Sequence, residues 1–519
     1  MLITRFSWLP LIKINHFMKN IIRLIPVYTF LLGIFLGFTT SAQTVVTKVS
    51  GGWIKGIEEG PTLVFKGIPY AKPPVGPLRF MPPQPMMAWK DTLSCEKFGS
   101  PASQGGGTGG LKGSEDCLTL NVYTPTTARD ARLPVLVWVH GGSLTGGSGM
   151  GMNGHAFADD DSVVTVTINY RLGVFGFMYL GDVNKAYQSS GNNGLLDLIM
   201  ALKWIRQNIT AMGGDASKVT VMGESAGAKL TSALLATPQS KGYFNQQILE
   251  SGAVQCIRDS VTAKGIRQRL MTELGVSKPA DLLKISAEKL IAAQANISNG
   301  AQGTNYFGPV IDGAVISQDP YQYILKNRND KVRFLIGTNK FESKMFMNFD
   351  KRLNHPDSTV LYGWFGDNYR YILSNFESEA KNGNADSAAI KVLTQYMYQM
   401  HSYRLANTLA QAGSHVWMYR FDYKRDGTGA THADELGYVW FLPKQNNFND
   451  TELKLANQIH QTWVNFIKGK APGQVNDKQW PHFVAGENNI MVFDTVSGPT
   501  QLNDIYNDRT HPSSCFVLK

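Results

Sequence analysis

The sequence predicts an α/β protein: a mostly parallel central sheet with helices on both faces and helical insertions over one end. Three observations carry this reading. From Val135 to about Gly252, short β-branched runs alternate with helical stretches, as strands joined by crossover helices do. The composition, 43% hydrophobic and 17% charged over 519 residues, supplies a sizeable core and excludes a disordered chain. No Pro/Gly/Ser linker or repeat divides the chain, so its late, variable stretches read as insertions into one domain, 43–519.

Taken in order, Pro134–His140 and Val163–Arg171 look like buried strands. Gly194–Asn208 places Leu195, Leu198, Ile199, Leu202 and Ile205 on one helical face. A strand at Val219–Met222, a helix at Ala226–Ala236 and a strand at Gln247–Leu249 follow, with two more strands at Val332–Ile336 and His415–Phe421. The insertions run from about Val254 to Tyr323 and from Met345 to Ala412. The glycine run Gly105–Gly110 reads as a flexible loop and not a phosphate cradle, because no strand precedes it and no Gly-Lys-Ser/Thr follows.

The formal charge of +10 is partly a property of the N-terminus. Residues 1–42 hold Arg5, Lys13, Lys19, Arg23 and no acidic residue; the rest carries 46 basic and 40 acidic side chains. No run of Lys and Arg interleaved with aromatics occurs, which argues against a nucleic-acid partner. Residues 1–42 read as a cleaved export signal: a basic start, an apolar stretch Leu24–Phe38, and small residues before Gln43. Met18 offers an alternative start to Met1. The apolar stretch is about 15 residues, short of the roughly 20 that span a bilayer, so the mature chain is expected secreted or periplasmic, without membrane insertion. Export permits disulfides; Cys95, Cys117, Cys256 and Cys515 allow three pairings. They are too scattered for a zinc site, and no metal or cofactor is expected.

Gly223-Glu224-Ser225-Ala226-Gly227 is the only GxSxG. Lys218–Met222 supplies a strand before it and Ala226–Ala236 a helix after it, the context in which this motif forms a nucleophile elbow. A strained turn presents the hydroxyl of Ser225, and small residues at 223 and 227 let backbone pass closely. A serine needs a base, and of the histidines that follow, His432 lies in the flexible stretch Gly427–His432 just beyond the last strand. The base needs a carboxylate; Glu342, in the loop after Val332–Ile336, completes the order Ser, Glu, His. Its rival Asp312 looks like a turn residue. An oxyanion requires N–H donors, for which Gly142 and Ser143, after the strand ending at His140, and Ala226 are the candidates. His140 reads as structural.

With these residues in place the chain resembles the type-B carboxylesterases, the α/β-hydrolase family that includes cholinesterases and bacterial para-nitrobenzyl esterases. The matching stretches are Phe65–Phe80 (FKGIPYAKPPVGPLRF), Glu115–Val122 (EDCLTLNV), Asn169–Phe177 (NYRLGVFGF), Gly213–Asp215, Gly223–Gly227, Gly337–Ser343 and Gly429–Leu436 (GATHADEL). The resemblance implies a single α/β-hydrolase domain, a gorge leading to the serine, a Ser-Glu-His triad, and a small-molecule ester as substrate. It also implies a Cys95–Cys117 disulfide, leaving Cys256 and Cys515 unassigned.

Three positions depart from the family pattern. Ser143 and Leu144 replace the usual small residue and aromatic, although Ser143 keeps its N–H. Phe341 stands where an acidic residue is common. No Trp lies between Cys95 and Cys117 to hold a quaternary ammonium, which argues against choline esters. Ester hydrolysis through an acyl-enzyme is the leading expectation. The alternatives are a non-catalytic binding or adhesion protein on the same fold, and a hydrolase of lactones, carbamates or aryl esters.

Overall fold

The computed structural model describes residues 44–106, 110–298, 306–327 and 332–503. The expected signal, 1–42, and Cys515 lie outside the described residues. Four strands, β1 (Thr44–Val49), β2 (Gly52–Glu59), β3 (Thr62–Pro69) and β4 (Thr119–Thr124), pair antiparallel and in sequence order. A seven-strand block follows: β5 (Leu133–Val139), β6 (Val164–Ile168), β7 (Gly214–Glu224), β8 (Gln246–Glu250), β9 (Arg333–Asn339), β10 (His415–Phe421) and β11 (Asn489–Phe493). Within it every pairing is parallel. The strand β12 (Gly498–Gln501) closes the far edge antiparallel. The order across the sheet is β1-β2-β3-β4-β6-β5-β7-β8-β9-β10-β11-β12, so the chain reverses direction of travel around β5.

Both faces are buried, and the two-residue period of a strand divides them. In β5, Val135, Val137 and Val139 enter one core while Leu136 and Trp138 enter the other. In β10, Val416 and Met418 face the first core; Trp417, Tyr419 and Phe421 face the second. Helices α1 (Asn193–Asn208) and α2 (Ala226–Ala233) cover the first face, with α3 (Ser260–Leu274) and α4 (Ala287–Ile297) packed into the same core. The insertion after β9 folds as α5 (Ser343–Phe349), α6 (Ser358–Phe365), α7 (Tyr369–Lys381), α8 (Ala385–Thr394) and α9 (Met400–Gln411). It carries its own cluster, including Phe346, Trp364, Val392 and Tyr398. The second face is covered by α10 (Asp450–Ile467), whose Leu455, Ile459, Trp463 and Phe466 are buried there. From Thr44 onward the chain is one compact unit.

Several expected bounds move. The strand expected at Val219–Met222 begins at Gly214, because Gly214 pairs with Leu133 before the register shifts and resumes at Val219. Polar Asp215 and Ser217, hydrogen-bonded to one another, hide this first part from an apolar pattern. The helix after the elbow ends at Ala233 and tightens into a 3-10 turn, Leu234–Ala236. The glycine run is pinned at its ends by a two-residue hairpin, Gln104–Gly105 against Leu111–Lys112. Among the described residues no helix is long and apolar enough to cross a membrane.

The expected Cys95–Cys117 disulfide is absent: both are separate, buried thiols, as is Cys256. Cys95 is held between β2 and β3, its N–H donating to Lys55 O and its carbonyl accepting from Lys66 N–H. The chain that folds back on the segment before Cys117 is instead Pro101–Ser103, which exchanges backbone hydrogen bonds with Ser114. Burial raises the pKa of the Cys95 thiol to about 12.

Candidate active site

Four loops that follow the parallel strands β5, β7, β9 and β10 converge at the carboxyl end of the sheet, near the point where strand order reverses. Ser225 sits between β7 and α2 with φ +54° and ψ −121°, a conformation that L-residues avoid. Packing explains why the strain persists. A Cβ on Gly227 would fall 2.0 Å from Val139 O, and one on Gly223 would fall 2.5 Å from the Gly227 carbonyl carbon. The strand, turn and helix thus close on each other only with glycine at both places. The Ser225 N–H donates to Glu250 O at 2.9 Å, tying the turn to β8.

His432 Nε2 lies 2.8 Å from Ser225 Oγ, and His432 Nδ1 lies 2.6 Å from Glu342 Oε2. Glu342 is fully buried; its Oε1 accepts from Ser251 Oγ at 2.6 Å and from the Asn339 N–H at 2.7 Å. The carboxylate is thereby fixed in rotamer, and it fixes the imidazole in turn. The loops carrying the two residues are joined by Phe341 N–H donating to Ala430 O at 2.8 Å. Phe341 also packs on Gly429, while Lys340 and Lys344 hold their ammonium groups over its ring. An aromatic ring clamped by cations occupies the place where an acidic residue was noted as common. Asp312 is far from this chemistry in role: its Oδ1 accepts from the N–H groups of Ala314 and Val315, closing a turn.

The loop after β5 lies against the serine, since a Cβ on Gly141 would stand 3.3 Å from Ser225 Cβ. Gly142, Ser143 and Leu144 all have positive φ, at +103°, +57° and +58°. The Gly142 carbonyl accepts from Thr145 and Gly146, and among the described residues no acceptor takes the N–H of Gly142 or Ser143. Ala226 opens α2, so its N–H has no partner within the helix. His140 stacks on Tyr170 at 4.5 Å, and burial lowers its pKa to about 4, so it is a neutral packing element.

Two neighbours escaped the sequence reading. Glu224 Oε1 is 3.2 Å from His432 Nε2, in contact but not aligned as a hydrogen bond. Burial, with help from Glu342, raises the Glu224 pKa to about 7 against the pull of His432 and Lys229. For His432, burial opposes the charge, but the carboxylates of Glu224 and Glu342 outweigh it and the pKa is raised. Glu224 stood within the motif itself, at a position the pattern leaves open. Tyr398, from the distant insertion, sets its ring at a tilt 4.5 Å from that of His432. No motif marked it. Among the described residues no group of His, Cys, Asp and Glu is arranged to hold a metal.

This arrangement can move a proton from a serine hydroxyl to an imidazole and stabilise the resulting cation, with N–H donors beside it for a developing oxyanion. Comparison with known proteins agrees with the chemistry. The model of the carboxylesterase family matches residues 41–510. A para-nitrobenzyl esterase of Bacillus subtilis is 34% identical over 87% of this chain and 95% of its own. A fumonisin B1 esterase of Sphingopyxis macrogoltabida is 33% identical over 95% and 94%. The crystal structure of Geobacillus stearothermophilus carboxylesterase EST55 superposes with a TM-score of 0.79 at 32% identity, covering 88% of this chain and 97% of that one. The fold is accordingly the α/β-hydrolase fold, and the chain belongs to the carboxylesterase family.

Proposed function

We propose that this protein hydrolyses carboxylic esters through an acyl-enzyme on Ser225, with His432 as general base and Glu342 as the acid that orients it. The observation that carries this is the unbroken chain Glu342–His432–Ser225, with contacts of 2.6 and 2.8 Å. Ser225 Oγ attacks the ester carbonyl while its proton passes to His432 Nε2; Glu342 holds the imidazole in the required tautomer. The oxyanion is received by the N–H groups of Gly142, Ser143 and Ala226, and losing one such donor typically costs about 2–4 kcal/mol of barrier. His432 then protonates the leaving alcohol, and water repeats the cycle on the acyl-enzyme. Small, activated aryl and benzyl esters are the natural first probes, given the likeness to a para-nitrobenzyl esterase. The mature domain is 43–519, exported after removal of 1–42.

Hydrolysis of p-nitrophenyl acetate by the wild type and by Ser225→Ala tests the reading. Activity is expected to fall by roughly three orders of magnitude or more in the variant. Equal activity in both would place the nucleophile elsewhere.

A further inference from the structure

We propose that the Lys229 ammonium, buried on α2, sets the pH at which His432 works as a base: it holds a positive charge near the imidazole and offsets part of the pull of the two carboxylates beside it. The inference rests on the base assignment above and adds to it a positioning residue, one that acts through His432.

Lys229 stands one turn along α2 from the nucleophile, and its N–H donates to Ser225 O at 3.0 Å. The helix has no solvent face there: Ala226 to Ala233 are all buried, and Lys229 is only 1% exposed. Lysine is almost never buried to this degree without a purpose for its charge. Its Nζ lies 4.9 Å from the centre of the Tyr398 ring, which the π-helical turn Gln395–Gln399 delivers, and that ring lies 4.5 Å from the ring of His432. Laid end to end, the two distances put the ammonium no more than about 9.4 Å from the centre of the imidazole. Aromatic rings fill the space around this path: Phe346 stacks on Tyr398 at 5.8 Å and tilts against His432 at 5.2 Å. Charges buried among side chains are screened far less than charges in water.

The groups acting on these two charges come from several elements. At His432, Glu224 from the end of β7 and Glu342 from the start of α5 favour the imidazolium, and Lys229 opposes it. At Lys229 the same two carboxylates act, with Cys256 and Arg258 from the segment beyond β8. Glu250 and Glu435, which also interact with Glu224, are held in the acid form by burial and add no charge. Tyr398 is neutral for the same reason. Burial brings the Lys229 pKa down to about 8, so its charge is in place at neutral pH and below. Without that charge the carboxylates would stabilise the imidazolium further, and a larger share of His432 would be protonated and idle as a base at neutral pH.

Lys229→Met keeps the length of the side chain and removes the charge. The acid limb of kcat/KM for p-nitrophenyl acetate, read from pH 5 to 9, should rise by roughly 0.5–1 pH unit. A unit charge at about 9 Å and an effective dielectric of about 20 supplies about one unit, and part is lost because Glu224 then protonates more easily. Lys229→Arg, which keeps the charge, should restore the wild-type limb. The same displacement should appear in the NMR titration of the His432 Cε1 proton, assigned by its loss in His432→Gln. That titration needs no substrate, so it reads the inference even if Ser225→Ala places the nucleophile elsewhere. Should Lys229→Met yield no folded protein, Lys229→Gln combined with Glu224→Gln removes one charge of each sign, and its limb should lie above that of Glu224→Gln alone. A limb that stays in place or moves downward, or activity lost at every pH with the limb unmoved, would overturn the proposal.

Discussion

Replacing Glu224 by Gln should move the acid limb of the pH profile of kcat/KM downward by about one pH unit. The limb follows the deprotonation of His432, whose pKa is raised because two carboxylates, Glu224 and Glu342, outweigh the burial that opposes its charge. Glu224 Oε1 stands 3.2 Å from Nε2, and two full charges at that separation attract by about 5 kcal/mol at an effective dielectric of about 20. The full amount is not available. The Glu224 pKa is itself about 7, so near the limb the carboxylate is ionised only part of the time, and buried Lys229 opposes its field. About 1.4 kcal/mol, or one unit, is the scale that survives. The sign follows directly: with less negative charge near the ring, the imidazolium is less stable, the neutral base persists to lower pH, and activity extends there. The assay is kcat/KM for p-nitrophenyl acetate from pH 5 to 9, with stability checked at each pH. A limb that stays in place, or moves upward, would refute the electrostatic account of the shift.

Glu250, buried beside Trp463 with its Oε1 accepting from the indole N–H at 2.9 Å, has its pKa raised well above the ordinary value, chiefly by burial. The folded state then binds a proton that the unfolded state releases, so this group's contribution to stability is present below pH 4.5 and is lost as pH rises toward the folded pKa. Glu250→Gln should accordingly match the wild type near pH 5 and exceed its Tm at pH 8, by roughly 1 °C for each kcal/mol recovered in a unit of this size; a gap independent of pH would contradict this. The thiols of Cys95, Cys117 and Cys256 should all alkylate in denaturant without prior reduction, as mass spectrometry of the digested protein will show, and dithiothreitol should leave the Tm unaltered. A peptide linking Cys95 to Cys117 would show that the two sulfurs are joined after all.

Short-range chemistry is written directly into the chain. Buried parallel strands need β-branched apolar runs, and β10 and the central part of β7 were visible as such. The elbow was legible because only glycine at 223 and 227 lets strand, turn and helix meet, so a steric demand appears as a motif. Glu342 and His432 could be named because both follow strands whose carboxyl ends must share one edge. The antiparallel strands β1 to β4 went unread, since all are polar in part and β2 and β3 are interrupted by glycine. Tertiary structure alone decided three further matters. Cys95 and Cys117, neighbours among the cysteines in sequence, lie buried as separate thiols. Glu224 reaches the base because the elbow turns back on the loop that carries it. Tyr398 meets His432 across a long insertion through one irregular helical turn. Contacts of this kind join residues far apart in the chain, where no local pattern constrains them; they exist only once the sheet has brought its loops to a common edge.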